Sequence, residues 1–492
     1  MKNKNELSKN QMGYIKITDI SLEVLSTSKN EPKISNDNGN IDHDESICTT
    51  SSSQSIIKLN IQEDKNNNNE CNESNRINEL KQLNESTEYD EKSEVYKNII
   101  MTLKVLYFLS GITSSSWGRL STIYYVEKGF SPIQIGIIES IILISRIFTG
   151  PIKGYISDKV RNKKKVFIFC NTISTFLLCL LSFDFVTNKG YWVVASISIL
   201  NSIFVGENIL RPYTLEILGK HSKEWGKLRV WQSVSWGIGT LIFTNVYNYT
   251  KNFKINFLII FVLNIANILV LWITLPYKTK NEELVTGNNV KLRDLLVIFK
   301  EIKVIAFIIE FFFVIFCQSF CEKLLFIFVL RELKGSIWIT GVMVLIAISF
   351  NIPIFYNSKY ILTKLNYFNR ISICMISYIM RVTGYCLLSP ETVLWIFPFE
   401  TFHGLTFSLM LISNSEFIKD VTPKHLLASS ISVFTQLTQY IPQSMGNLVG
   451  SIIMEKYSGK TLYFSSGIFV SFILVIHLLV YCLIKNSIIN KI

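Results

Sequence analysis

At 492 residues the chain is long enough for several soluble domains, yet only 17% of it is charged and its mean hydropathy is +0.32. Soluble chains carry about a quarter charged residues, so that class is excluded. A net charge of +12 would suit nucleic acid in a soluble protein. Here the bases sit in short loops between apolar runs, which is an orientation signal, and no nucleic-acid partner is expected.

Residues 1–95 are rich in Asn, Ser, Lys and Glu, with an Asn run at Asn66 to Asn69. Such a segment buries too little apolar surface to offset its ordering entropy, and reads as a disordered cytosolic tail. Apolar runs follow near 101–126, 131–156, 165–187, 191–212, 228–248, 254–275, 304–330, 335–358, 370–388, 392–414, 427–454 and 461–485. Each approaches the roughly 20 residues that a helix needs to cross a hydrocarbon core. The expected fold is therefore an all-α membrane protein of twelve transmembrane helices in two pseudo-symmetric six-helix halves. The halves are 96–276 and 303–485, joined by a polar cytosolic loop at 277–302 and followed by a short cytosolic tail at 486–492. Lys159, Arg161, Lys163, Lys164 and Lys165, with Lys220, Lys223, Lys227, Lys359, Lys364 and Arg370, crowd alternate loops, which puts both termini in the cytosol.

An internal repeat accompanies the division. Written above 360–374, residues 155–169 align Tyr155 with Tyr360, Lys159 with Lys364 and Lys165 with Arg370 without a gap. Parallel six-helix repeats of this kind build one class of secondary transporter.

Two motifs bear on mechanism. Gly154, Asp158, Lys159 and Arg161, with Lys163 to Lys165, form G-x-x-x-D-K-x-R-x-K-K-K at a helix–loop–helix junction. The glycine permits close helix approach, and the acid and bases can form a charge network that breaks when two halves rock. The alternative is an ordinary basic loop. The second motif runs from Gly226 through Arg229, Gln232, Ser233 and Trp236, whose last four members recur on one helix face. A guanidinium beside an indole suits a polyhydroxylated ring, one donating hydrogen bonds and the other covering an apolar face. The competing reading makes Arg229 an interfacial anchor and Trp236 a packing residue.

With Gly136, Asn351, Pro353, Arg381 and the run Phe402 to Phe407, these motifs resemble the major facilitator superfamily. The similarity is to its branch of oligosaccharide:proton and nucleoside:proton symporters and their eukaryotic relatives, over about residues 100–485. The resemblance implies that Arg229 binds substrate, that Trp236 stacks on it, and that Arg381 and His403 belong to a proton-coupling cluster. Two family acids are missing: Thr406 stands where the coupling glutamate is expected, and Arg211 where the acid of span four is expected. Glu400 and Glu207 are the nearest substitutes within helical reach. The resulting site set is Arg229, Gln232, Trp236, Glu207 and Arg211 for substrate, and Arg381, Glu400 and His403 for protons. The gate is Gly154, Asp158, Lys159 and Arg161.

Further charges lie inside the spans, where they are costly and face the protein interior: Arg119, Glu139, Arg146, Glu310, Glu322 and Lys323. With Gln436, Gln439 and Gln443 they suggest a polar central cavity. His425 is assigned to an interface and His477 to core packing. The cysteines read as buried packing residues, and no catalytic, metal or nucleotide motif is complete, so an enzyme, a cofactor and a resident metal are not expected. The expectation is a monomeric secondary transporter in the lipid bilayer, moving a small polar solute with protons by alternating access. An uncoupled facilitator or a non-transporting scaffold is the alternative.

Overall fold

A computed structural model of the chain describes residues 94–219, 221, 225–277, 300–422 and 427–489. The expected tail before residue 94 and the central loop at 278–299 lie outside the described residues, as does His425. The first set of helices is α1 (Glu94–Gly118), α2 (Leu120–Glu127), α3 (Pro132–Val160), α4 (Lys163–Leu180), α5 (Tyr191–Phe204), α6 (Glu207–Leu218), α7 (Trp225–Thr250) and α8 (Phe253–Thr274). The second is α9 (Ile302–Ser319), α10 (Ile337–Tyr356), α11 (Ser358–Lys364), α12 (Tyr367–Leu387), α13 (Ile396–Val421), α14 (Leu427–Thr435), α15 (Ile441–Lys456) and α16 (Gly459–Ile489).

Among the described residues, eight helical stretches are long and apolar enough to cross a membrane: Tyr96–Glu127, Pro132–Ser157, Tyr191–Leu218, Phe253–Thr274, Ile302–Glu332, Ile337–Tyr356, Pro390–Val421 and Gly459–Leu483. The apolar runs near 165–187, 228–248, 370–388 and 427–454 also become helical, but polar side chains dilute them. Asn171 and Ser174 lie on α4, Gln232, Thr240 and Thr244 on α7, Arg370 and Arg381 on α12, and Gln443 and Asn447 on α15. In lipid, backbone groups must be satisfied within a segment, and helices do this whatever side chains they carry.

The repeat leaves a trace in the capping. Asn162 caps α4 by accepting from the Lys165 amide at 2.8 Å, and Asn366 caps α12 by accepting from the Asn369 amide at 2.8 Å. These caps register one residue away from the gap-free alignment of 155–169 with 360–374. Near each cap a base pairs with an acid on the next long segment, Lys163 with Glu216 at 3.1 Å and Arg370 with Glu416. At the opposite end, Lys254 sits 2.6 Å from the exposed Asp184 and holds its carboxyl below the usual carboxylate range. That contact is solvated, so its contribution is small.

Within the first set α1 packs on α7 and α8, and within the second α13 packs on α10 and α12. The two sets meet where α3 lies on α15 and α7 on α10. Some of these crossings depend on glycine. A Cβ on Gly404 of α13 would stand 2.6 Å from Phe350 Cβ and 2.7 Å from its carbonyl carbon. Backbone cannot swing aside as a side chain can, so Gly404→Ala is expected to destabilise by about 1–3 kcal/mol, the usual range for overpacking. Thermal unfolding in detergent would measure it, and an unchanged midpoint would refute the close crossing.

Candidate functional site

Between the two sets lies a cavity of about 280 Å³. Its wall draws on α1, α3, α4, α5, α7, α8 and α15 and on the segment after α9. The charges facing it are Arg119, Glu139, Arg146, Glu322 and Lys323. Three of them owe their placement to local irregularity. Arg119 falls at the break between α1 and α2, where its φ and ψ are −107° and −34°. Glu322 and Lys323 fall in a π-helical turn, Phe320–Leu324, and such turns redirect side chains from the face a regular helix would give them.

These irregular segments bond across the cavity. Arg119 donates to both the carboxylate and the backbone carbonyl of Glu322. Lys323 donates to Glu139 Oε1 at 3.1 Å, to Ser121 Oγ at 3.1 Å and to the Gly118 carbonyl at the helix break. Ser121 in turn donates to Glu139 at 3.0 Å. Glu139 is buried, so this pairing compensates a charge that would otherwise be stranded in a low-dielectric interior. The other bonds between the sets lie on the same side. Ser140 and Ser444 exchange hydroxyl-to-carbonyl bonds at 2.8 and 3.1 Å, Arg331 donates to the Phe130 carbonyl at 2.6 Å, and the Ile133 amide donates to Glu455 at 2.7 Å. Among the described residues, then, the two sets are bonded near the end that carries the turns at 128–131 and 457–458.

Of the substrate residues read from sequence, Trp236 lines the cavity and Arg229, Gln232 and Arg211 do not. Trp236 lies on the face of α1 left open by Gly118, where an added Cβ would stand 2.6 Å from the indole. Gln232 is buried, with its carbonyl against Gly111, and its side chain accepts from Arg229. Arg229 itself is exposed in the early turns of α7, and Arg211 is carried over the Trp225 ring at 4.4 Å. The shared face of Arg229, Gln232 and Trp236 is real, but α7 runs from the bundle end to its interior along that face, so its members meet different surroundings. The Glu207 side chain lies outside the described residues.

Arg381, Glu400 and His403 do come together. The Arg381 guanidinium forks onto Glu400 at 2.9 and 3.1 Å, reaches His403 Nδ1 at 3.1 Å and meets the Tyr385 hydroxyl, which also donates to Glu400. Arg381 is 1% exposed, so its charge is matched entirely by protein groups. A guanidinium only donates, hence Nδ1 accepts and the imidazole proton sits on Nε2. The acid of this cluster therefore faces the arginine and not the histidine.

At the proposed gate, Lys159 and Arg161 are exposed, and the Asp158 side chain is outside the described residues. Gly154 departs from its expected role. A Cβ there would meet nothing within 4 Å, because the helix surface is open at that point. His477 departs as well: it is buried but not merely packed, with Nδ1 2.5 Å from Glu310 and Nε2 3.0 Å from the Phe368 carbonyl.

Sequence reasoning noted the cavity charges and Gln443 but gave none of them to the site, and it missed the asparagines. Asn201, Asn267 and Asn447 line the cavity and are buried. Their only sequence signal is an uncharged polar residue inside an apolar run.

Comparison with known proteins agrees with this architecture. An uncharacterized transporter of Bacillus subtilis (strain 168), YwbF, is 22% identical over 370 residues, spanning 74% of this chain and 89% of that protein. The crystal structure of the nucleoside transporter NupG superposes with a TM-score of 0.67 at 16% identity, covering 78% of this chain and 99% of that one. A POT family transporter in complex with 5-aminolevulinic acid gives 0.60 at 13% identity, over 77% of this chain and 95% of its own. Those superpositions establish a shared fold. Because residues 61–465 match the MFS_1 like family, the protein belongs to that family and is a membrane transporter of the major facilitator type.

Proposed function

We propose that this transporter carries a small polar organic solute, sugar- or nucleoside-like, by alternating access and in symport with protons. The observation that carries the reading is the polar cavity between the two helix sets, with charged and amide groups on its walls and the rings of Trp117 and Trp236 beside them. A hydroxylated ring has the matching chemistry, with edges that hydrogen-bond and a face that stacks. The fold shared with a nucleoside transporter supports the same class.

In this reading the chain makes twelve spans in two six-helix halves with both termini cytosolic, and acts as a monomer. The cavity opens to the end that carries the termini, while the Arg119–Glu322 and Lys323–Glu139 pairs hold the other end shut. Proton coupling falls to Arg381, Glu400 and His403. A proton on Glu400 would cancel the charge that Arg381 answers and release the guanidinium to a new partner. Asp158, Lys159 and Arg161 act on the exchange between states and not on affinity.

The test is uptake into proteoliposomes across sugars, nucleosides and small organic ions, with and without a pH gradient. Trp236→Ala is expected to weaken solute binding by about 1–3 kcal/mol, scaled from base–aromatic stacking, and Trp236→Phe by less. Arg229→Lys, outside the cavity wall, is expected to change half-saturation by no more than about twofold, well under 1.4 kcal/mol. Wild-type transport by Trp236→Ala at normal expression would remove the ring from the site.

A further inference from the structure

The charges that face the cavity do not balance. Arg119, Arg146 and Lys323 stand against Glu139 and Glu322, which leaves one positive charge in excess. Arg119 is paired with Glu322 and Lys323 with Glu139, so the excess falls on Arg146. Among the described residues Arg146 has no hydrogen bond or ion pair, although it lies on α3 deep within an apolar run, lines the cavity and carries five donors. A bare guanidinium at membrane depth is costly unless something in the cavity answers it.

A second observation points the same way. Asn267 and Asn447 line this cavity at 2% and 4% exposure, and neither amide oxygen has a hydrogen-bond partner. An acceptor left unmatched at such burial forfeits its solvation, and a ligand that donates would restore it. Asn267 belongs to the first set and Asn447 to the second, so one molecule that reached both would be held across the gap between them.

We propose that the solute is a small organic monoanion, with its acid group forked on Arg146 and its hydroxyl or N–H donors on Asn267 and Asn447. A carboxylate matches best: its two oxygens meet the planar fork of one arginine, and its single charge cancels the single excess charge. This rests on the polar-solute reading and narrows it. A plain sugar or nucleoside would leave Arg146 unanswered.

The experiment presents full-length protein in proteoliposomes with matched solutes, glucose beside glucuronate and uridine beside its 5′-carboxylate and its 5′-phosphate. Saturable uptake of a carboxylate, and competition by the carboxylate but not by its neutral counterpart, is the expected result. If the phosphate competed in its place, the carboxylate assignment would be overturned. Arg146→Gln should then raise the half-saturation concentration for the anion about tenfold or more, with Arg146→Lys between the two. Thermal unfolding of each variant separates this from misfolding, and the competition arm needs no variant. Wild-type uptake confined to the neutral members, or an unchanged half-saturation in folded Arg146→Gln, would overturn the anion assignment and leave the polar-solute reading intact. Uptake confined to inorganic ions would overturn both.

Discussion

Lys323→Gln alone is expected to destabilise the transporter by about 3 kcal/mol, and addition of Glu139→Gln to return most of that loss. Lys323 is the main compensation for Glu139, whose side chain is only 6% exposed, at an ion-pair distance of 3.1 Å. Removal of one partner from a buried pair costs about 3–5 kcal/mol because the other charge is left stranded, whereas removal of both is often neutral. The lower figure applies because Lys323 is 18% exposed toward the cavity and water can partly take its place. Ser121, which donates to the Glu139 carboxylate, would keep donating to the amide oxygen that replaces it in the double variant. Thermal unfolding in detergent reads the effect. Additive losses in the double variant would mean that the two residues act independently.

Loss of gradient-driven accumulation is expected for Glu400→Gln and for His403→Gln, with equilibrium exchange of solute retained in both. Glu400 is 3% exposed and its carboxylate receives Arg381 and Tyr385 together, so its ionisation and the position of Arg381 are tied. A permanent amide fixes that link in one state, which removes the dependence on a proton but not the pathway for solute. Arg381→Met should be the harshest change, about 3–5 kcal/mol, because it leaves Glu400 buried without a countercharge. Uptake by the wild-type protein that ignores the pH gradient would make it a uniporter and remove the coupling role altogether.

Much of the helical framework could be read from the chain, because a run of apolar residues near the length of a bilayer crossing has few alternatives. The Asn caps before α4 and α12 show why the repeat was visible only approximately: side-chain similarity put the two loops one residue out of the register that their backbones adopt. Arg381, Glu400 and His403 could be brought together on paper because Glu400 and His403 are one turn apart on a single helix. The pairs Arg119–Glu322 and Lys323–Glu139 could not, since each joins residues about two hundred positions apart, through a helix break and a π turn that no periodicity announces. Arg229 fails for a related reason. A helix face is defined by spacing, but its depth in the bundle depends on where the helix starts, and α7 begins only four residues before Arg229.

The central claim is that charge pairs close one end of a two-state bundle. Paired spin labels test it directly, at Tyr155 and Tyr360 at the end carrying the termini and at Asn188 and Glu391 at the other, in a background stripped of reactive cysteines. All four positions are exposed, and each pair joins the two helix sets. In the Glu139→Gln, Lys323→Gln protein the first pair is predicted to gain a shorter distance component and the second a longer one, relative to the parent. Unchanged distributions at both ends, in folded protein, would contradict the account.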